Sequence, residues 1–322
     1  MPTRSPVARL SVAACAAVAA VSLAACSGDE AEADTGFLAA LSRVAATDAS
    51  ATYVEYGDVA AITKLTEQDQ RFAQIAGYGY SELAASADRI ADKLGVDPRR
   101  FSSAIWVGQP PETAGLLIGD YDTAEVGASF ERIGAEQEDT GGATRWRSAA
   151  DRATDLAGPF TDLGLLTQFN IVSVAEGEFG YSSAGGSLDW VTDPGDTTLA
   201  DDEQVRALAT CLGDPVVAIV ATQDERKVAV AVRAPSAAEV TEVICVLADD
   251  PQAGRDRMTT ELTEGRAPSS GQPWADILPG AEVDIPEGSS GVVRVVSTPD
   301  DTAPPGRVAQ VLANGDLKGL TG

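Results

Sequence analysis

The sequence predicts an α+β protein of two lobes, each an antiparallel or mixed sheet with packed helices. Short β-branched segments alternate with stretches of helical spacing along most of the chain. A strong turn, Asp193-Pro194-Gly195-Asp196, separates two halves. The composition is globular, with 44% hydrophobic and 22% charged residues. Aromatic residues are only 5%, so the core must be built largely from Ala, Val, Leu and Ile.

The chain opens with a basic start (Arg4, Arg9) and an apolar run over 10–25 that ends in Leu23-Ala24-Ala25-Cys26. An acidic stretch, Ser27-Gly28-Asp29-Glu30-Ala31-Glu32-Ala33-Asp34, follows at once. A positive head, an apolar span short for a bilayer crossing and small residues at a cut site describe a secretory signal. An ordinary cleaved signal or an N-terminal membrane helix are the alternatives. Leu-Ala-Ala-Cys resembles the lipobox of bacterial lipoproteins, which implies that Cys26 takes a diacylglycerol and becomes the first mature residue. The expected organisation is a signal at 1–25, an acidic tether at 26–36, an N-terminal lobe at 37–192 and a C-terminal lobe at 193–322. As a flexible coil the tether would span roughly 15–20 Å.

In the first half, Phe37, Leu38, Leu41, Val44 and Ala45 recur at helical spacing and predict a helix over 37–46. Residues 51–56 alternate as a strand, and Asp58 supplies the N-cap of a helix through Leu65. Helices are expected over 70–76 and 81–94, the second stopping at Gly95, and Asp97-Pro98 starts another through Trp106. Residues 113–118 read as a strand, 119–122 as a turn and 123–133 as a helix ended by Gly134. A hairpin of 135–139 and 143–148 flanks Thr140-Gly141-Gly142, and strands are expected over 168–175 and 178–183.

In the second half, 199–212 reads as a helix capped by Asp201 or Asp202 and ended by Gly213. Strands at 216–222 and 227–233 are joined by a polar turn. Ser236 caps a helix through Leu247, with Val240, Ile244 and Leu247 on its buried face. A polar helix over Pro251–Glu264, a Pro-, Gly- and Ser-rich loop, a strand at Val292–Ser297 and a helix over 305–313 complete the chain. At an offset of 114, Ala124-Glu125-Val126 falls on Ala238-Glu239-Val240 and Phe130 on Ile244. This weak echo fits a duplicated strand–turn–helix unit or chance.

Of the four cysteines, Cys15 leaves with the signal and Cys26 carries the lipid. Cys211 and Cys245 remain as a pair in an oxidising compartment, where a structural disulfide is expected between two helices. A redox pair is the alternative, but the spacing is not C-x-x-C.

The formal charge is −26, and removing a signal with two arginines and no acid takes the mature chain to about −28. Such a surface repels phosphate backbones and anionic headgroups, so nucleic acid is excluded as a partner and membrane contact falls to the lipid on Cys26. There is no histidine, which removes Ser-His-Asp and Cys-His catalysis, the common zinc enzymes and the usual sensor of pH between 5 and 8. No S-x-x-K, P-loop, G-x-G-x-x-G or G-x-S-x-G occurs, and no cofactor is expected.

Carboxylates are the remaining chemistry. Asp120 and Asp122 between a strand and a helix are weak metal or catalytic candidates, though a turn and an N-cap explain them. Asp193 and Asp196, with Asp201, Asp202 and Glu203, are a second weak cation candidate that turn and helix-start preferences also explain. Trp106, Trp146, Trp190 and Trp274 would stack on a ligand or seal core edges. Tyr78-Gly79-Tyr80 reads as a flexible binding loop or a helix break.

A-T-Y-V-E-Y-G-D (51–58), L-G-V-D-P (94–98), P-P-E-T-A-G-L-L-I-G-D-Y-D (110–122) and A-T-C-L-G-D-P (209–215) resemble uncharacterised lipoproteins of high-GC Gram-positive bacteria. That resemblance carries no activity and no site residue. The expectation is a lipid-anchored extracytoplasmic protein that binds a ligand or an envelope partner without catalysis. A solute receptor of an ABC importer and a carboxylate hydrolase of wall polymers are the alternatives.

Overall fold

Strands from both halves join one antiparallel sheet in the computed structural model, which describes residues 36–140, 142–289 and 291–321. The first half supplies β1 (Tyr53–Gly57), β2 (Ser103–Gln109), β3 (Glu112–Ile118), β4 (Glu136–Asp139), β5 (Thr144–Arg147), β6 (Ile171–Ala175) and β7 (Glu178–Ser182). The second supplies β8 (Val217–Gln223), β9 (Arg226–Ser236), β10 (Glu239–Leu247), β11 (Glu282–Asp284) and β12 (Val292–Ser297). Their order is β11-β12-β10-β9-β8-β1-β2-β3-β7-β6-β5-β4. The α+β class is the expected one. The two halves keep their own strands and helices, but they share the sheet through the β1–β8 pair, and the described residues form one compact unit.

Both faces of the sheet are covered, so its central strands are apolar on each side. On one face lie α1 (Gly36–Leu41), whose Phe37 packs on Tyr56 at 5.3 Å, and helices from further along the chain. The opposite face carries α2 (Val59–Gln68), α3 (Ser81–Ala84), α4 (Ala87–Leu94) and α5 (Thr123–Arg132) over the first half. Helices α6 (Gly185–Thr192) and α7 (Glu203–Leu212) join α1 on its face. The second half of the opposite face is covered by α8 (Pro251–Glu264), α9 (Trp274–Ile277), α10 (Arg307–Ala313) and α11 (Leu317–Thr321). At the sheet margins, β4 is acidic and fully exposed and β11 has three residues, features that blunt an open edge.

The halves have the same strand logic. Each begins with three strands paired in chain order, β1-β2-β3 or β8-β9-β10, although α2 to α4 separate β1 from β2 and no helix separates β8 from β9, and continues into a helix, α5 or α8. A later strand then returns to pair with the third, β7 on β3 and β12 on β10. The N-caps of the two helices, Asp122 and Asp250, are equivalent and stand 128 positions apart. The offset of 114 lays helix α5 on strand β10 and does not hold.

The second difference from expectation is residues 236–247, which form a hairpin turn and strand β10 rather than a helix. Its segment Val240-Thr241-Glu242-Val243-Ile244-Cys245-Val246 is β-branched and nearly continuously buried, because helices cover both faces. Helical spacing of Val240, Ile244 and Leu247 is incidental in such a run. Likewise Asp97-Pro98 starts one 3₁₀ turn, Pro98–Arg100, and 103–109 is β2. Residues 70–75 are 3₁₀ helix, the 81–94 helix breaks into α3 and α4, α1 stops at Leu41, and α7 starts at Glu203. Helices α6, α9 and α11 and strand β11 lay in segments without a clear period.

Candidate functional site

At one end of the second half, the sheet stops while α7 and α8 begin. Asp202 accepts the Val205 N–H at 2.8 Å and Asp250 accepts the Ala253 N–H at 3.0 Å, so both helices are capped at their starts. Pro251 at the first turn of α8 fixes its start. Between them opens a groove of about 1410 Å³. Drug-sized pockets occupy roughly 300–1,000 Å³. This groove is larger and open, a shape for an extended segment or a protein surface.

Val246, Met258 and Val293 lie buried beneath it, and more than half of its lining residues are polar or charged. Its walls carry both signs of charge. Arg206, Arg226 and Lys227 are committed to the backbone carbonyls of Ala200, Thr321 and Ala51, and Arg294 pairs with Asp284. Arg257, Glu203, Asp249 and Glu287 stand exposed at the mouth. Behind the groove a disulfide joins Cys211 on α7 to Cys245 on β10, with Cα atoms 6.3 Å apart. The expected pairing is present, but it ties a helix to a strand rather than two helices. The groove also lies at the far end of β8 from the chain's entry into the fold. Phe37 packs near the Gly57–Val217 end of the β1–β8 pair, six residues, or about 20 Å, from Gln223.

A second constellation is enclosed. Glu55, Trp106, Gly115 and Tyr181 are direct cross-strand neighbours on β1, β2, β3 and β7, and so share the face under α3. Glu55 is buried and accepts the N–H groups of Gly79 (2.8 Å) and Ser81 (3.3 Å), the Ser81 hydroxyl (3.1 Å) and the Tyr53 hydroxyl (3.3 Å). Tyr78-Gly79-Tyr80 is therefore pinned to the sheet. Gly79 packs so closely that a Cβ there would meet the Ala104 carbonyl at 2.4 Å.

Glu82 lies beside this anchor. Burial, reinforced by the Glu55 charge, pushes its carboxyl up to about 7, while Trp106 and Gln168 act in the opposite sense. Neither Glu82 Oε1, the Trp106 indole N–H nor the Tyr181 hydroxyl closes a hydrogen bond, although all three are buried. Glu242 on β10 is the third enclosed acid. It accepts the N–H groups of Gly306 (2.7 Å), Arg307 (3.1 Å) and Val308 (2.8 Å) at the start of α10. Burial outweighs those bonds and raises its carboxyl, as it does for Glu55. Tyr78 feels both Glu55 and Glu242, and its hydroxyl is raised by burial first and then by the two acids. Saturated with N–H donors, Glu55 and Glu242 hold chain segments in place. Sequence reading missed all three: Glu55 sits on the polar phase of an alternating strand, and Glu82 resembles an ordinary first-turn acid.

The predicted carboxylate sites take local roles. Asp122 caps α5 by accepting from Ala124 and Glu125, each at 3.0 Å, and Asp120 is exposed in the turn before it. Asp193 and Asp196 are exposed after α6, Asp201 accepts from Thr198, and Asp202 and Glu203 start α7. Among the described residues no group of three or more His, Cys, Asp or Glu side chains is placed to hold a metal ion. Trp146 and Trp274 are buried, Trp106 and Trp190 are partly buried, and none lines the groove. Trp146 borders a recess of about 650 Å³ between α5 and the β4–β5 hairpin. The lipobox and Cys26 lie outside the described residues. Among those described, no helix is long and apolar enough to cross a membrane.

No family model, curated protein or solved structure matches this chain.

Proposed function

We propose that this chain is a lipid-anchored extracytoplasmic lipoprotein, held on the outer side of the cell membrane by Cys26, that works by binding rather than catalysis. The groove between α7 and α8 carries this reading. It combines a lining of mixed polarity with walls of both charge signs, and it opens beyond the Gln223 end of β8, about 20 Å from the Gly57–Val217 end of the β1–β8 pair.

Two rival readings fit less well. A solute receptor built as two lobes closing on a cleft needs a hinge, whereas a continuous sheet runs through both halves here. A two-carboxylate hydrolase needs its shifted acids in an open groove. Glu55 and Glu242 are instead buried, and Glu82 turns its Oε1 inward from α3.

The anchor is tested with radiolabelled palmitate, which should enter the wild type and not Cys26→Ala; equal labelling overturns it. For the groove, a photo-cross-linking benzophenone residue at position 253 in intact cells should give a discrete adduct, and one at position 131 on α5 should give none. No adduct at 253, or equal yields at both positions, overturns the groove assignment.

A further inference from the structure

Independently of the groove, the enclosed acids point to a control element. We propose that Glu82 is a proton-operated latch: protonated, it keeps segment 77–86 docked on the sheet, and ionised, it releases that segment and opens the face where the two halves meet.

The geometry supports a latch at this place. Segment 77–86 bridges α2 and its 3₁₀ extension to α4, and contains only the four-residue helix α3. Its first residue, Gly77, has φ +101°, a conformation that glycine adopts readily, so the segment starts at a natural pivot. It is held by the buried Leu83, by the bonds of Glu55 to Gly79 and Ser81, and by the Ser86 hydroxyl on the Leu163 carbonyl. Glu82 is the one enclosed acid of the three whose Oε1 has no bond to offset its charge.

The groups facing Glu82 come from several elements. Strand β1 presents Glu55, with Tyr53 bonded to it; β2 presents Trp106; β7 presents Tyr181; and the loop before β6 presents Gln168. The full charge acting on Glu82 is therefore another carboxylate. Tyr78 adds a hydroxyl on the Glu55 side. An ionised Glu82 here has a like charge beside it, and Trp106 and Gln168 favour its ionised form less than burial opposes it, with no geometrically closed bond to Oε1. A protonated Glu82 is neutral and fits.

For a carboxyl raised on docking, the contribution is complete below the free value of 4.5, is lost as pH rises to about 7, and is absent above that. Between pH 5 and 8.5 docking should weaken about 50- to 100-fold.

The test is hydrogen exchange of the full mature chain at pH 5 and 8.5, corrected for intrinsic rates. Peptides covering 77–86 should lose protection by that factor in the wild type. Glu82→Gln, neutral at both values, should keep it. Equal wild-type protection at both pH values, or an equal loss in Glu82→Gln, overturns the latch. A measurement on the unmutated chain is the Glu82 carboxyl carbon shift. A midpoint near 7 supports the proposal, and one below 5 overturns it.

Discussion

Tyr181 lies over Gly115: a Cβ on Gly115 would stand 2.1 Å from the Tyr181 ring and 2.4 Å from its hydroxyl oxygen. The missing side chain on β3 is the space that lets the tyrosine of β7 reach toward Trp106 and Glu82. Gly115→Ala should destabilise the protein by about 2–3 kcal/mol, since neither the β3 backbone nor the enclosed ring can yield. Gly186 in α6, with open space around its Cα, is the control. Gly186→Ala should be neutral or stabilising by about 0.5–1 kcal/mol. Urea unfolding of both variants distinguishes the two effects.

The disulfide predicts a measurable loss on reduction. Cys211 and Cys245 close a loop with a sequence separation of 34, worth about 3–4 kcal/mol on the chain-entropy model. Cys211→Ala combined with Cys245→Ala should lower unfolding free energy by that amount. Thiol titration of the unfolded, unreduced mature chain should find neither sulfur free.

Glu242 takes three backbone N–H groups at the head of α10. Glu242→Ala leaves those donors buried and unpaired, and should cost about 3–4 kcal/mol. Glu242→Gln keeps one acceptor oxygen and should cost less. Denaturation midpoints rank the two.

Global stability should fall as pH rises from 5 to 8. Glu82 is raised on folding, so the unfolded chain releases its proton first and the folded state loses about 2–3 kcal/mol over that interval. Glu55 and Glu242 act with the same sign. The carboxyls lowered by partners, Asp97, Asp151, Asp162, Asp201 and Asp256, act in the opposite sense, in the acid range below the ordinary aspartate value. Urea unfolding at fixed ionic strength should show the decline, and Glu82→Gln should flatten most of it.

Local chemistry was legible where it acts locally. The caps at Asp58, Asp122 and Asp202 and the strand Val292–Ser297 are written in a few adjacent residues, and they occur where expected. Position in the sheet was not legible. The 239–247 run carries helical spacing and strand composition together, and its burial on both faces, which decides for the strand, comes from partners far along the chain. The enclosed acids follow the same rule. Glu55 alternates like a solvent-facing residue, and is buried because Gly79 and Ser81, from a later segment, pack over it.

The seam between β1 and β8 also dictates an order of assembly. Strand β1 is complete by residue 57, but the partner for its outer edge ends at residue 223. A chain emerging from its N-terminus must carry an unpaired, apolar strand edge while some 160 residues follow, and such an edge invites pairing with other chains. Closing the seam is the step that removes this exposure. A holdase that shields residues 53–57 until residue 223 is made would therefore suppress the mispairing that this order of synthesis invites.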